Sequence, residues 1–328
     1  MAKSHILNMD NKKTRDDLTR EAIIRVIAFF DLFDYPLSVE ELWKYLWLPD
    51  DVARVSLMDI IKALDGFNGP LEAHNGYYFF NGRKAIIGQR QASAVWMEKK
   101  FNIAFSATHW LKYLVGVKMV AVVNSVVLGS VKQDSDIDLF IVVASGRMWL
   151  TRLAVTLLVQ LLGVRRHGKK ISNRLCLSFY VTEDRLNLSE VRNQSDPYFY
   201  YWLATLTPLY DDGCYKKFIN ENNWIKGCLP NFSEAEINRK HQVMDNWFSK
   251  LIKALDGLWF YSFFGSTLER LARSPQRKKM AKNLSSLAGE PDSRVIISDT
   301  ILKFHESDRR EEFRRAWEEM FRLTLGKL

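Results

Sequence analysis

The feature that most constrains this chain is a pair of aspartates, Asp136 and Asp138, directly before the apolar run LFIVV. Residues two apart in a strand face the same side of a sheet, so the two carboxylates point together while Ile137 and Leu139 point into a core. Neighbouring carboxylates repel each other and need a cation or a proton between them. The pair therefore predicts a metal site. A solvated pair at an exposed strand end is the alternative.

Residues 122–143 resemble the nucleotidyltransferase superfamily that includes DNA polymerase beta. The signature of that family is a strand, a Gly-Ser turn that opens a helix, and an Asp-x-Asp strand often written SDIDL, which residues 135–139 match letter for letter. The resemblance implies a mixed-sheet α+β core that moves a nucleoside monophosphate from an NTP to an acceptor. It also implies Mg²⁺ (or Mn²⁺) as cofactor, held by Asp136 and Asp138 as catalytic ligands together with substrate phosphates. The acceptor stays open, with nucleic acid one candidate.

The resemblance allows two registers for the Gly-Ser turn. Gly129 begins a literal Gly-Ser only seven positions before Asp136, which leaves too little chain for a helix and a return. Asn124 begins a second candidate, Asn-Ser, twelve positions before Asp136, as in small members of the family. We adopt the second register, which implies nucleotide-binding roles for four residues, Asn124, Ser125, Gly129 and Ser135. Asparagine replaces a glycine here and tolerates the left-handed backbone that such a turn needs. A plain helix N-cap is the alternative role for Ser125.

The family's third carboxylate is missing at the expected place. It normally comes from a later strand beside the Asp-x-Asp strand, and here that strand, 175–179, carries Cys176 at the corresponding position. In the family this carboxylate helps to bind the catalytic metal and to activate the attacking hydroxyl. The sequence therefore leaves open a weakened relative that binds nucleotide or nucleic acid in a regulatory role, or a protein that only retains the fold.

The N-terminal part predicts three helices followed by a hairpin. Ser38 and Glu41 form a capping box that opens the second helix, and the turn 74–76, His-Asn-Gly, separates two β-rich pieces. This order of elements resembles a winged helix-turn-helix over about residues 17–88.

The helix that would enter a DNA major groove is acidic. It carries four acids and two bases, Asp50, Asp51, Asp59, Asp65, Arg54 and Lys62. A DNA-reading helix is usually richer in Arg, Lys, Asn and Gln. We therefore predict a module that contacts protein, with DNA contact as the alternative.

Charge is unevenly distributed along the chain. Residues 1–90 hold 12 Lys/Arg and 13 Asp/Glu, whereas the remaining residues hold 35 and 25. Four basic residues of one loop, Arg165, Arg166, Lys169 and Lys170, are candidates for phosphate or nucleic-acid contacts, and a solvated loop is the alternative. A polyanionic partner is expected to meet the middle and C-terminal parts.

The predicted organisation has three parts. They are a winged-helix-like module (1–92), a nucleotidyltransferase domain (93–190) and a helical C-terminal domain (191–328). The amphipathic stretch 251–280 is expected to be an interior helical hairpin, with a membrane-surface helix as the alternative. No apolar stretch is long enough for a membrane span. Three cysteines without metal-ligand spacing and a polar N-terminus predict a cytoplasmic setting.

Overall fold

The computed structural model describes residues 14–48, 54–66, 69–192, 196–234, 239–284, 295–304 and 309–326. Its N-terminal unit contains three helices and a three-stranded antiparallel sheet of order β1-β3-β2. The elements are α1 (Arg15–Asp31), β1 (Leu37–Ser38), α2 (Val39–Lys44), α3 (Leu57–Leu64), β2 (Leu71–His74) and β3 (Tyr77–Phe80).

Two local predictions in this unit are confirmed. Ser38 and Glu41 form the reciprocal capping box at the start of α2. Asn75 and Gly76 both have positive φ, at 51° and 78°, as a two-residue hairpin turn between β2 and β3 requires. Of the predicted third helix, Asp50 and Asp51 lie outside the described residues.

A six-stranded mixed sheet forms the centre of the molecule, in the order β7-β4-β5-β6-β9-β8. Only β5 and β6 pair in parallel among the strands described. The strands are β4 (Val117–Val123), β5 (Ile137–Val143), β6 (Leu175–Thr182), β7 (Thr207–Asp211), β8 (Val295–Ile297) and β9 (Ile301–Phe304). The accompanying helices are α4 (Ile86–Leu111), α5 (Met148–Leu161), α6 (Pro197–Thr205), α7 (Tyr215–Glu221), α8 (Trp247–Phe260), α9 (Phe263–Leu284) and α10 (Arg310–Leu325). The prediction of an α+β fold with a mixed sheet is confirmed.

The C-terminal part is mostly helical, as the prediction for 191–328 expects, but it also contains strands that the prediction did not include. Three of its strands, β7, β8 and β9, complete the central sheet on both sides. Each has only three to five residues, too few to produce a readable alternation of apolar and polar side chains. The proposed boundary at 92/93 also falls inside the 26-residue helix α4.

The N-terminal unit shares one hydrophobic core with one face of the central sheet and with α6 and α10. The ring of Phe29 on α1 lies 4.2 Å from that of Tyr201 on α6, measured between centroids. Trp47 lies 5.3 Å from Trp317 on α10. The aromatic residues 199–202 of α6 are therefore part of this core.

The helices α8 and α9 lie on the surface, so the expectation of an interior hairpin is wrong. Trp247, Leu258 and Phe263 each expose at least three quarters of their area. Gly257 and Asp256 do not break α8, which runs without interruption to Phe260. Among the described residues no helix has both the length and the apolar character needed to cross a membrane.

Candidate metal and nucleotide site

Three potential metal ligands meet where β5 and β6 begin. Asp138 on β5 lies opposite Cys176 on β6 in the parallel register, and Asp136 immediately precedes β5. One ligand atom from each of the three residues lies within 4.8 Å of the other two. Ile137 and Leu139 are fully buried, so the alternation predicted from the sequence places both carboxylates on the face away from them.

Asn124 holds the carboxylate of Asp138 from the end of the neighbouring strand β4. It has a φ of +61°, the left-handed backbone that the sequence predicts for the residue replacing glycine. Its amide Nδ2 donates to Oδ2 of Asp138 at 2.9 Å, and its Oδ1 accepts from the hydroxyl of Tyr198 at 3.2 Å. Asn124 is therefore a direct neighbour of the acid pair.

The helix that the resemblance implies after Asn124 does not form, although all of residues 124–136 are described. The chain makes a single 3-10 turn, Asn124–Val126, before it approaches β5. Gly129 then adopts a φ of +75°, and the N–H of Ser130 donates to the carbonyl of Ser125 at 3.2 Å. A left-handed residue five positions after Asn124 ends any helical path. This turn therefore offers no α-helix N-terminus to which phosphates could bind.

The electrostatics of Asp138 are unfavourable for a bare carboxylate. Burial, together with the negative charge of Asp136, raises its pKa to about 6. Burial also raises the pKa of the Cys176 thiol to about 12, and the adjacent Asp138 carboxylate adds to this. With both groups disfavouring negative charge, the pocket is stabilised by a proton or a cation at this point.

Arg166 provides a positive charge at one side of the pair. Its Nη1 donates to Oδ2 of Asp136 at 2.5 Å and lies 3.5 Å from Sγ of Cys176. The backbone holds this arginine in place, because its N–H donates to the carbonyl of Leu175 at 3.0 Å. Asp136 thus has a protein counter-charge, and a metal ion would share that carboxylate with Arg166 or displace it.

A cavity of about 1030 Å³ opens beside Asp138, Asn124 and Cys176. Of the described residues that line it, Asp138 is the only carboxylate, whereas seven are Lys or Arg. These are Arg152, Arg165, Arg166, Lys279, Lys303, Arg309 and Arg310. The volume lies at the upper end of the roughly 300–1,000 Å³ typical of small-molecule sites. Three of these cations already have acidic partners, because Arg166 pairs with Asp136, Arg309 with Glu312 and Arg310 with Asp196. The cationic side chains still outnumber the carboxylates of the lining, which favours an anionic ligand.

Arg152 indicates most directly that an anion belongs there. Its Nη1 donates to Gln276 at 2.7 Å, but its buried Nε has no hydrogen-bond partner among the described residues. Burial lowers the pKa of this guanidinium, which means that its charge is desolvated. A buried cation with an unused donor is stabilised when an anionic oxygen reaches it.

Two aromatic rings form another wall of the cavity. Tyr198 and Phe313 stack at 5.3 Å between centroids with an angle of 10° between their planes. Tyr198 also bonds Asn124, so this wall adjoins the acid pair. Planar bases stack well on such rings.

The predicted site residues divide into two groups. Asn124, Asp138, Cys176, Arg165 and Arg166 line the cavity, and Asp136 lies within reach of three of them, Asp138, Cys176 and Arg166. The other predicted contacts do not line it: Ser125, Gly129, Ser135, Lys169 and Lys170. Lys169 and Lys170 are exposed, as in the alternative of a solvated loop.

Gly129 and Ser135 make contacts that hold the fold together. A Cβ on Gly129 would lie 2.0 Å from Cε2 of Tyr35, so the N-terminal unit packs directly on this turn. The carbonyl of Ser135 accepts from the buried ammonium of Lys100 at 2.6 Å. Lys100 also donates to the side chain of Asn173 at 3.1 Å, which fixes the loop that leads into Asp136.

Sequence reasoning missed most of the cationic wall. Arg152, Lys279, Lys303 and Arg310 come from four separate elements, α5, α9, β9 and α10. They belong to no common motif, so no local pattern indicates that they meet. The only available signal was the positive balance of the chain after residue 90.

Comparisons with known proteins give no match: no protein-family model, no curated protein and no solved structure is similar to this chain.

Proposed function

We propose that this protein binds a nucleoside triphosphate together with a divalent cation, in a domain of the nucleotidyltransferase type that has lost most of its transfer activity. The observation that carries the proposal is the cavity itself. One carboxylate, seven cationic side chains and a stacked aromatic pair line the same space of about 1030 Å³. The cationic side chains match phosphates, the carboxylate matches a metal ion, and the aromatic pair matches a base.

The arrangement of strands supports the type of domain. The strand β4 leads to a left-handed turn at Asn124, the Asp-x-Asp strand β5 pairs antiparallel with β4, and β6 lies parallel on the other side. This is the order in which the resemblance expects the two aspartates and the third ligand position. Cys176 stands at that third position, directly opposite Asp138.

The donor set fits a divalent cation, although not Mg²⁺ alone. Asp136 and Asp138 supply the oxygen ligands that Mg²⁺ prefers, whereas the thiol of Cys176 favours a softer ion. Carboxylates suit both Mg²⁺ and Mn²⁺, so both ions belong in any test. When bound, the ion would neutralise phosphate charge beside Asp138.

Weak transfer follows from Cys176. A transfer step needs a third carboxylate to help activate the attacking hydroxyl, and a thiol with a pKa of about 12 stays protonated at neutral pH. No carboxylate among the described residues that line the cavity takes over this task. We therefore expect this chain to bind nucleotide but to transfer a nucleotidyl group only weakly.

The N-terminal unit supports the proposal of a winged helix that packs against protein. Its element order is that of a winged helix, and its core is continuous with α6 and α10. The exposed surface of α3 includes Met58, Ile61 and Lys62, with Asp59 paired to Arg15 at 3.1 Å. A salt-dependent DNA shift assay tests the alternative, because groove binding would weaken steeply as salt rises.

The decisive experiment is calorimetric titration of each NTP with and without Mg²⁺ or Mn²⁺. We expect metal-dependent binding to the wild type and at least about tenfold weaker binding to Asp138→Asn. Asp212→Asn is the matched control, since Asp212 pairs with Lys118 at the opposite end of β4 and should leave binding unchanged. Pyrophosphate release is measured in the same samples.

The outcomes separate the candidate functions. Binding without pyrophosphate release supports the proposal. Pyrophosphate release at the rate of an ordinary enzyme would instead establish an active nucleotidyltransferase. If no NTP binds under any metal condition, the cavity serves another purpose and the proposal is refuted.

A further inference from the structure

In the part of the chain that the structure describes, the helices α8 and α9 leave an apolar surface uncovered on the outside of the molecule. Eight side chains define this α8–α9 face: Trp247, Leu251, Leu255, Leu258, Phe263, Phe264, Leu268 and Leu271. Between 41% and 79% of each side chain is exposed. On α8 the spacing of these residues by three or four positions places them on one side of the helix.

This exposed area is unusually large. Phe263 and Phe264 are 79% and 73% exposed, and Trp247 is 75% exposed. An aromatic side chain buries about 150–250 Å² when covered, so these three rings alone expose on the order of 450 Å². With the five leucines added, the α8–α9 face exceeds the few hundred Å² that a monomer ordinarily shows in one patch.

The underside of the two helices is firmly attached to the molecule, so their outer face has a fixed position. Glu269 on α9 accepts from the backbone N–H groups of Trp149 and Leu150 at 2.9 and 2.8 Å. Arg147 donates to the carbonyl of Phe260, the last residue of α8, at 2.7 Å. The two helices are therefore already packed against the molecule while their outer apolar side chains stay exposed.

The charge of this segment is strongly positive. Residues 245–280 contain seven Lys/Arg and three Asp/Glu. Two of the acids have internal partners, because Asp245 pairs with Lys253 at 2.7 Å and Glu269 caps the start of α5. Arg270, Arg277 and Lys278 are exposed on α9, beside or beyond the apolar side chains. The surface therefore combines an apolar stripe with a basic border.

We propose that the α8–α9 face docks on an anionic lipid surface, with its apolar side chains in the headgroup region. An apolar stripe next to basic residues has the composition of helices that lie in a membrane interface. Trp247, Trp259 and Tyr261 add amphipathic rings of the kind that settle at headgroup level. Negatively charged lipid matches both properties of the face, whereas a second copy of the chain would bring like charges together.

Flotation with lipid vesicles tests this proposal on the full chain. We expect the protein to float with phosphatidylcholine vesicles that contain about one third phosphatidylserine and not with pure phosphatidylcholine, and binding should fall as salt rises. The double variant Phe263→Ser/Phe264→Ser should bind about tenfold more weakly or worse, because two exposed rings no longer enter the interface.

The control and the contrary outcomes are well defined. Leu323→Ser on α10, a residue 57% exposed, removes a comparable apolar group elsewhere and should leave vesicle binding unchanged. Circular dichroism checks that the variants are folded, and Leu258→Ser replaces the double variant if it is not. Vesicle binding that is absent, or equal in all variants, overturns the proposal. A concentration-dependent dimer that only the Phe variant loses assigns the face to a second copy.

Discussion

Replacing Asp138 by asparagine should stabilise the metal-free protein at neutral pH. Burial and the charge of Asp136 raise the pKa of this carboxyl from its ordinary 3.8 to about 6. One pKa unit corresponds to about 1.4 kcal/mol, so the ionised carboxylate costs the folded state on the order of 3 kcal/mol at pH 7. Asparagine has the same shape and no charge, and its oxygen can still accept from Asn124 at the present 2.9 Å.

The pH dependence follows from the sign of this shift. Below about pH 4 the carboxyl is protonated in both the folded and the unfolded chain, so it makes no difference to stability. As the pH rises from about 4 to about 6, the unfolded chain ionises first, and the free energy of unfolding of the wild type falls. The advantage of Asp138→Asn should therefore grow over this interval and stay constant above it.

Urea denaturation followed by tryptophan fluorescence, from about pH 4 to about pH 8 with EDTA present, measures this difference. Asp212→Asn serves again as control. Asp212 pairs with Lys118 at 3.2 Å and is partly exposed, so its replacement should lower stability by roughly 0–1 kcal/mol at neutral pH. If Asp138→Asn is less stable than the wild type at pH 7, the carboxylate is not the unfavourable group that the metal proposal requires.

Three further changes test separate parts of the structure. Gly129→Ala and Gly146→Ala both place alanine at positive φ, which costs about 1–2 kcal/mol, but only Gly129→Ala places a Cβ 2.0 Å from Tyr35. The free energy of unfolding of Gly129→Ala should therefore fall further, by about 1–3 kcal/mol, and equal losses in the two variants would contradict the packing. Lys100→Met leaves the carbonyl of residue 135 without its ammonium donor, so unfolding should become easier by roughly 1–3 kcal/mol and NTP should bind more weakly in the same titrations. Cys176→Asp supplies the carboxylate that the resemblance expects at this position, and Mn²⁺-dependent pyrophosphate release should rise above that of Cys176→Ser; the same rate in both variants would mean that this position does not limit transfer.

The local part of the site could be predicted because its pattern is short and covers consecutive positions. Alternation along β5 places Asp136 and Asp138 on one face, and the left-handed backbone of Asn124 follows from its replacement of glycine. Cys176 was located by its strand, which pairs with β5 in the expected register. For Asp136, Asp138 and Asn124 the physical cause lies within a few residues of the feature itself, whereas Cys176 meets them only through the pairing of β5 with β6.

The cavity could not be predicted because its residues meet only through the tertiary fold. Arg310 on α10 and Lys303 on β9 reach the same space as Asn124, nearly two hundred positions away in the sequence. Arg166 belonged to a predicted basic loop, but its pairing with Asp136 depends on how β6 begins. The short strands β8 and β9 bring this part of the chain to the sheet, and they carry too few residues to be recognised by periodicity.

The pairing of Arg166 with Asp136 explains why ion and nucleotide should bind together more strongly than either does alone. A lone cation has to compete with a guanidinium that lies 2.5 Å from its first carboxylate, and a displaced Arg166 would then face the cavity with its charge uncompensated. On the proposed function a triphosphate would remove that penalty, because its oxygens could accept from Arg166 while Asp138 would hold the ion, which would neutralise phosphate charge. Nucleotide without the ion would meet the opposite difficulty, since its phosphates would approach the carboxylate of Asp138, whose pKa is already raised by burial and by the charge of Asp136. Under the proposed function each ligand would relieve the repulsion that the other meets, so their binding free energies would be coupled, and the coupling would be reciprocal.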